Sequence, residues 1–221
     1  MIFIDLHLHS TCSDGTITPR ALAFKAKSQG LSVASLTDHD TTEGVKAFLK
    51  TCARREVRGV AGVELSADFH SVMHILGYRI DVDSPLFQKH MKHLREGRDE
   101  RNYKICQKLQ RLGLSISIEE VQAEAQGEVI ARPHIARVLI RKGYVQSMGA
   151  AFERYLGREA PAYVPRYRLS PQQCIETIHQ AGGVAVLAHP VQTTDDYGEL
   201  VDILSSLKEL GLWGMECLAP S

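Results

Sequence analysis

Short, almost unbroken apolar runs that alternate with capped helical patterns constrain this chain more than any other feature. The runs are "MIFIDLH" (1–7), "LSVASLT" (31–37), "VRGVAGVEL" (57–65), "MHILGYRI" (73–80), "GVAVLAH" (183–189) and "LWGMECL" (212–218). Segments this continuous fit strands covered on both faces better than strands with one wet side. Between the early runs lie helical patterns. "TPRALAFKAKSQG" (18–30) offers Thr18 as N-cap, Pro19 at the first helical position and Gly30 as the stop, and "TTEGVKAFLKTCARR" (41–55) is similar, capped by Thr41 or Thr42. Strand, helix, strand, helix implies parallel βα units, so the fold class is α/β, either a barrel or a doubly wound sheet.

Residues 86–179 break the rhythm. They turn helical and polar through 87–113, 117–127, 132–143 and 148–157, and "PQQCIETIHQAGG" (171–183) then restores it. We therefore expect a helical insertion at 100–167 in a main domain formed by 1–99 and 168–221. With 221 residues, 44% of them hydrophobic, the chain suits one globular domain carrying such an insertion. Its 26 basic and 26 acidic side chains cancel, which argues against a DNA duplex or an anionic membrane as partner. No apolar run approaches the ~20 residues of a membrane span, and the N-terminus lacks the pattern of a signal peptide. Five widely spaced cysteines (12, 52, 106, 174, 217) with no CxxC pair disfavour a disulfide framework and a thiolate zinc site, so the expected location is a reducing cytoplasm.

The polar exceptions to the apolar pattern carry the chemistry. In "DLHLHSTCSDG" (5–15), His7 and His9 share one strand face and converge as a metal pair would, an exposed surface pair being the competing reading. "LTDHDTTEG" (36–44) sets His39 between Asp38 and Asp40 at a strand end, either as a supported ligand or as a polar helix cap. "GVELSA" (62–67) puts Glu64 after an apolar run, where a carboxylate with no partner is awkward to bury. "SVMHILGY" (71–78) holds His74, which also reads as a core histidine; "ARPHIAR" (131–137) holds Arg132 and His134 at a helix start, and "LAHP" (187–190) ends a strand with His189.

Taken in order, "DLHLHSTCSDG", "LTDHDTT", "GVELSA", "HILGY", "ARPHIA" and "LAHP" resemble the PHP (polymerase and histidinol phosphatase) superfamily. Their spacing is similar to the bacterial branch that includes 3′,5′-nucleoside bisphosphate phosphatases and a 5′–3′ exoribonuclease. The resemblance implies a distorted (β/α)7 barrel and two or three divalent ions per chain, Mn first, with Fe or Zn as alternatives. It implies one ion on His7, His9 and Glu64, a second on Glu64, His74 and His134, and a third on Asp14 and His39. Members usually end with a Gly-x-Asp-x-His segment on the last strand. This chain reads "GMECLAPS" there, so we expect a barrel lacking its last strand, in a truncated chain rather than a degenerate member with incomplete metal sites.

The resemblance further implies a metal-dependent phosphoesterase acting on a small nucleotide or short RNA, releasing the 3′-phosphate of a nucleoside 3′,5′-bisphosphate or trimming RNA from its 5′ end. Asp40 and His189 are the expected proton-transfer groups. Residues 89–111 carry eight basic against three acidic side chains, most of them a solvated face. Arg98, Arg101 and Asn102 instead share one helical face and, with Arg132, are expected to hold a phosphate. Histidinol phosphate is the competing substrate, disfavoured by Asp14 and by the insertion. A noncatalytic metal-binding module is the competing class.

Overall fold

The computed structural model describes residues 2–125 and 130–217. In chain order it contains β1 (Phe3–Leu8), α1 (Pro19–Ser28), β2 (Leu31–Leu36), α2 (Val45–Arg54), β3 (Arg58–Ser66), β4 (His74–Tyr78), α3 (Pro85–Arg111), α4 (Ile118–Ala125) and α5 (Arg132–Arg141). There follow α6 (Met148–Ala151), a π-helical turn (Phe152–Leu156), α7 (Pro171–Gln180), β5 (Val184–Leu187), α8 (Pro190–Thr193), α9 (Tyr197–Glu209) and β6 (Gly214–Met215). Residues 126–127 of the expected fourth helix and Leu218 of the expected last strand lie outside the described residues. Two compact units result, Met1–His93 with Arg168–Ser221, and Leu94–Tyr167.

Local chemistry accounts for the element ends. Thr18 Oγ1 accepts from Ala21 N at 3.3 Å and Pro19 opens α1, while Gly30 leaves it at φ +77°. Ser170 and Gln173 form a reciprocal capping box on α7, with Pro171 at its first turn. The sequence reading missed α9, although Asp196 caps it by accepting from Glu199 N at 2.8 Å and Leu200, Ile203, Leu204 and Leu207 recur at helical spacing.

The sheet runs β1-β2-β3-β4-β5-β6, and its directions correct the all-parallel expectation. β1, β2 and β3 are parallel, but β4 is antiparallel to both β3 and β5, and β5 and β6 are parallel again. Only Ala67–Met73 separate β3 from β4, too few for the crossover of a dozen or more residues that a parallel return needs. The result is a mixed α/β fold with a curled sheet, a half-barrel. β1 and β6 lie at opposite ends of the strand order, yet side chains from the two ends meet, Glu216 Oε1 standing 2.9 Å from His7 Nδ1.

The expectation of strands covered on both faces fails at β1. Phe3, Ile4 and Leu6 are 53%, 56% and 38% exposed, because β1 is an edge strand with a neighbour on one side only. Further along, α1 and α2 pack on β2 through Leu22, Ala26, Leu36, Val45, Phe48 and Cys52. In the second unit Ile105, Leu109, Val121, Ile135, Val138 and Leu156 form a separate core.

Candidate metal centre

Every candidate donor in the first unit sits at one end of the sheet. β1 carries His7 and leads to His9, β2 leads to His39, and β5 leads to His189. Glu64 lies near the end of β3, bridged to His39, and His74 opens the antiparallel β4 opposite Ser66, so that β4 also delivers its histidine to this end.

Five imidazoles close a ring around one carboxylate. Successive ring centres are 5.0 Å apart for His7–His9, 4.6 Å for His9–His39, 4.9 Å for His39–His74, 5.0 Å for His74–His189 and 5.9 Å for His189–His7. Glu64, 1% exposed, sits at the middle. Its Oε2 is 3.1 Å from His7 Nε2, His9 Nε2 and His39 Nδ1, and its Oε1 is 2.8 Å from His74 Nδ1 and 2.9 Å from His189 Nε2. Asp14 closes the outer side, 3.4 Å from His9 Nδ1 and 3.5 Å from His39 Nε2.

Hydrogen bonding alone does not account for this arrangement. Two carboxylate oxygens cannot align with five ring nitrogens, and protonating every ring would place five positive charges within contact distance. His39 Nδ1 lies close to Glu64 but out of hydrogen-bond alignment, a buried nitrogen with no partner. Three overlapping donor sets, His7/His9/Glu64, His9/Asp14/His39 and His39/Glu64/His74, each bring their ligand atoms close enough that the set could hold an ion. Mixed imidazole and carboxylate donors suit divalent Mn, Fe or Zn, so these residues fit the implied ions.

The electrostatics follow from the packing. Burial alone depresses an imidazole, but at His7 it is outweighed by hydrogen bonds to Glu216 and Glu64, which raise the group to about 10. His9 is also raised, Glu64 prevailing over burial. His39 goes the other way, burial lowering it to about 4. Burial disfavours the Glu64 carboxylate, yet bonds from His189, His7, His74 and His9 hold it well below its ordinary range.

A second layer of carboxylates fixes these elements. Asp38, fully buried, accepts from Ser10 N, Ser10 Oγ and Ser13 Oγ, each at 2.6 Å, and so braces the turn that carries Asp14. Asp40, expected to move protons, is 1% exposed, and its carboxylate accepts from Ser66 N at 2.9 Å and Ser66 Oγ at 3.3 Å. A carboxylate so engaged braces the end of β3. His189, expected in the same role, stands inside the imidazole ring with an unusual φ of +26°. Sequence reasoning passed over Glu216, whose carboxylate meets His7 and His189; its place directly after the apolar run that ends in Met215 was the available signal.

The remaining candidates belong to Leu94–Tyr167. Arg98, Arg101 and Asn102 are buried on α3; Asn102 Oδ1 accepts from Arg101 Nε at 3.2 Å and Nη2 at 2.8 Å, and its amide donates to Ile130 O. Arg132 donates to Leu156 O at 3.0 Å, its guanidinium 5.5 Å and 5.8 Å from the Phe152 and Tyr163 rings. His134 is buried on α5 and takes Ala131 N–H on Nδ1 at 2.9 Å. A neutral ring in that state carries its proton on Nε2, and ligation through Nε2 requires the ring to exchange that bond.

A model of the PHP domain family matches residues 5–158. The 5′–3′ exoribonuclease Rnm of Escherichia coli (strain K12) is 35% identical over 192 residues, 86% of this chain and 66% of that protein, so the chain spans slightly less than two thirds of its length. The 3′,5′-nucleoside bisphosphate phosphatase of Chromobacterium violaceum is 36% identical over 86% of this chain and 67% of its own. Among solved structures, one from Bifidobacterium adolescentis described as a metal-dependent phosphoesterase superposes with a TM-score of 0.84 at 27% identity, covering 97% of this chain and 77% of that one.

Proposed function

The chain belongs to the PHP domain family, and on that premise we propose that it is a metal-dependent phosphoesterase that hydrolyses the 3′-phosphoester of nucleoside 3′,5′-bisphosphates and trims short RNA from its 5′ end. The observation that carries this reading is the ring of five imidazoles around the buried Glu64 carboxylate. Relatives bearing both activities in their names support it at 35% and 36% identity. The two reactions share one outcome: the bond between phosphorus and O3′ breaks, leaving a nucleoside 5′-monophosphate with a 3′-hydroxyl.

His7, His9, Glu64, His74, Asp14 and His39 would hold the ions, Mn in the first place. Divalent ions there supply Lewis-acid charge that activates water and offsets negative charge on the phosphoryl oxygens. The chain's own groups do the rest. Glu64 presents an oxygen to each side of the ring, and Asp38 and Asp40 hold the turns that carry Asp14 and His39. To His189, inside the ring, and to Asp40 we assign the proton transfer. Arg98, Arg101, Arg132 and Asn102 bind the 5′-phosphate, with Asn102 setting the Arg101 fork; His134 joins them as a donor or, after exchange of its Nδ1 bond, as a ligand. We further read the fold as a (β/α)7-type barrel carrying an insertion at 100–167, in a cytoplasmic protein. Among the described residues no helix is long and apolar enough to cross a membrane.

The test is phosphate release from adenosine 3′,5′-bisphosphate with added Mn²⁺, run beside elemental analysis. Two or three ions per chain with turnover support the reading. Bound ions without turnover on this substrate or on 5′-phosphorylated short RNA overturn it in favour of a noncatalytic metal-binding module.

A further inference from the structure

Glu216 follows the two-residue strand β6 and joins parts of the molecule that share no backbone ladder. Its backbone N–H donates to Leu187 O at 2.9 Å, which fixes the residue beside the end of β5. From there its Oε1 stands 2.9 Å from His7 Nδ1 on β1, and its Oε2 accepts from His189 N at 2.7 Å. β1 and β6 are the two ends of the sheet, and the interacting residues lie 209 positions apart in the chain. The carboxylate is 13% exposed, so neither contact is a loose surface pairing.

We propose that Glu216 is a positioning residue that sets which nitrogen of His7 faces the metal centre and holds His189 in its strained backbone conformation. The proposal rests on the metal-site reading above and adds to it a residue and a role. A carboxylate only accepts, so the His7 nitrogen that meets it must carry hydrogen. The neutral ring then has its lone pair on Nε2, the nitrogen 3.1 Å from Glu64 Oε2. In that state Nε2 would be free to serve as a ligand beside Glu64, where a divalent ion would be held. With the opposite tautomer, His7 Nε2–H would simply bond Glu64, closing the position to an ion. The second contact acts on the backbone. His189 adopts φ +26°, a region L-residues rarely enter, and the bond from its N–H to Glu216 holds the turn that brings its ring within 2.9 Å of Glu64. One side chain thereby orders two members of the imidazole ring.

The test compares the native chain with Glu216→Ala and Glu216→Gln in three measurements. These are Zn²⁺ affinity by chelator competition, ¹⁵N-imidazole NMR of the zinc-loaded protein, and thermal melting in EDTA. Glu216→Ala should weaken zinc by about 10–100-fold, the usual effect of removing a ligand's hydrogen-bond partner, and should erase the protonated-Nδ1 signal of His7. Glu216→Gln keeps an oxygen for His7 but offers its amide nitrogen no way to accept from His189. It should retain the His7 signal with a smaller loss of affinity. Unchanged affinity in either variant overturns the proposal. So does weakened affinity in Glu216→Ala with the His7 Nδ1–H signal intact, since Glu216 would then be a structural brace alone. If Glu216→Ala does not fold, as its melt would reveal, Glu216→Gln decides by the same criteria. A native chain that binds no zinc would instead overturn the metal-site reading itself.

Discussion

At the scale of single residues, the centre depends on buried carboxylates whose oxygens are fully engaged. Asp38 illustrates the energetics. Replacing it by alanine strands Ser10 N and two hydroxyls in a buried place, at a cost of about 3 kcal/mol. We expect Asp38→Ala to lower Tm by about 6–12 °C, as for other proteins of this size, and to weaken the ion held by Asp14 and His39; calorimetry and metal titration check both. Legibility divides at this scale according to sequence distance. His7 and His9 could be paired by eye because the strand period brings positions i and i+2 together. The tie between His7 and Glu216 left no comparable mark, since no local period connects them.

At the scale of elements, the turn between β1 and α1 is the most demanding. Ser13 N and Gly15 N both donate to Ser10 O at 3.0 Å, winding the turn tightly enough that a Cβ on Gly15 would collide with the His9 carbonyl. That neighbour is backbone and cannot step aside, so Gly15→Ala must shift the turn that carries Asp14. A destabilisation of about 2 kcal/mol and a Tm fall of roughly 4–8 °C should accompany the loss of one bound ion, with the ion on His7, His9 and Glu64 retained. Melting curves and elemental analysis test it. Elements with strong end signals could be read from the sequence almost to the residue, as at both ends of α1 and at the start of α7. β4 was legible as a strand, but its direction was not written in its own residues.

At the scale of the whole molecule, the imidazole ring makes stability depend on pH and on metal together. In the metal-free chain His7 is raised to about 10 and His9 is raised as well, so the unfolded chain releases these protons first. The stabilisation they give is complete below about pH 6.5 and disappears as pH climbs through 10. His39, lowered to about 4, is neutral in both states above pH 7 and adds no slope there. Metal-free protein should therefore melt at progressively lower temperature between pH 7 and pH 10. Saturating Mn²⁺ should flatten or reverse that trend, because an ion needs the same rings deprotonated. Differential scanning fluorimetry with and without EDTA checks it, and parallel slopes in the two series would contradict it.

The kind of each element and the chemistry of its donors could be read along the chain: an α/β chain, a first helix capped by Thr18, and histidines and carboxylates at strand ends. These depend on propensities and periods that act over a few residues. Only the tertiary structure decided that β4 runs against its neighbours, that β1 is exposed at an edge, that Asp40 braces Ser66, and that Glu216 reaches His7 across the sheet. Those outcomes depend on loop length, sheet curvature and contacts between residues far apart in the chain. No local pattern encodes them.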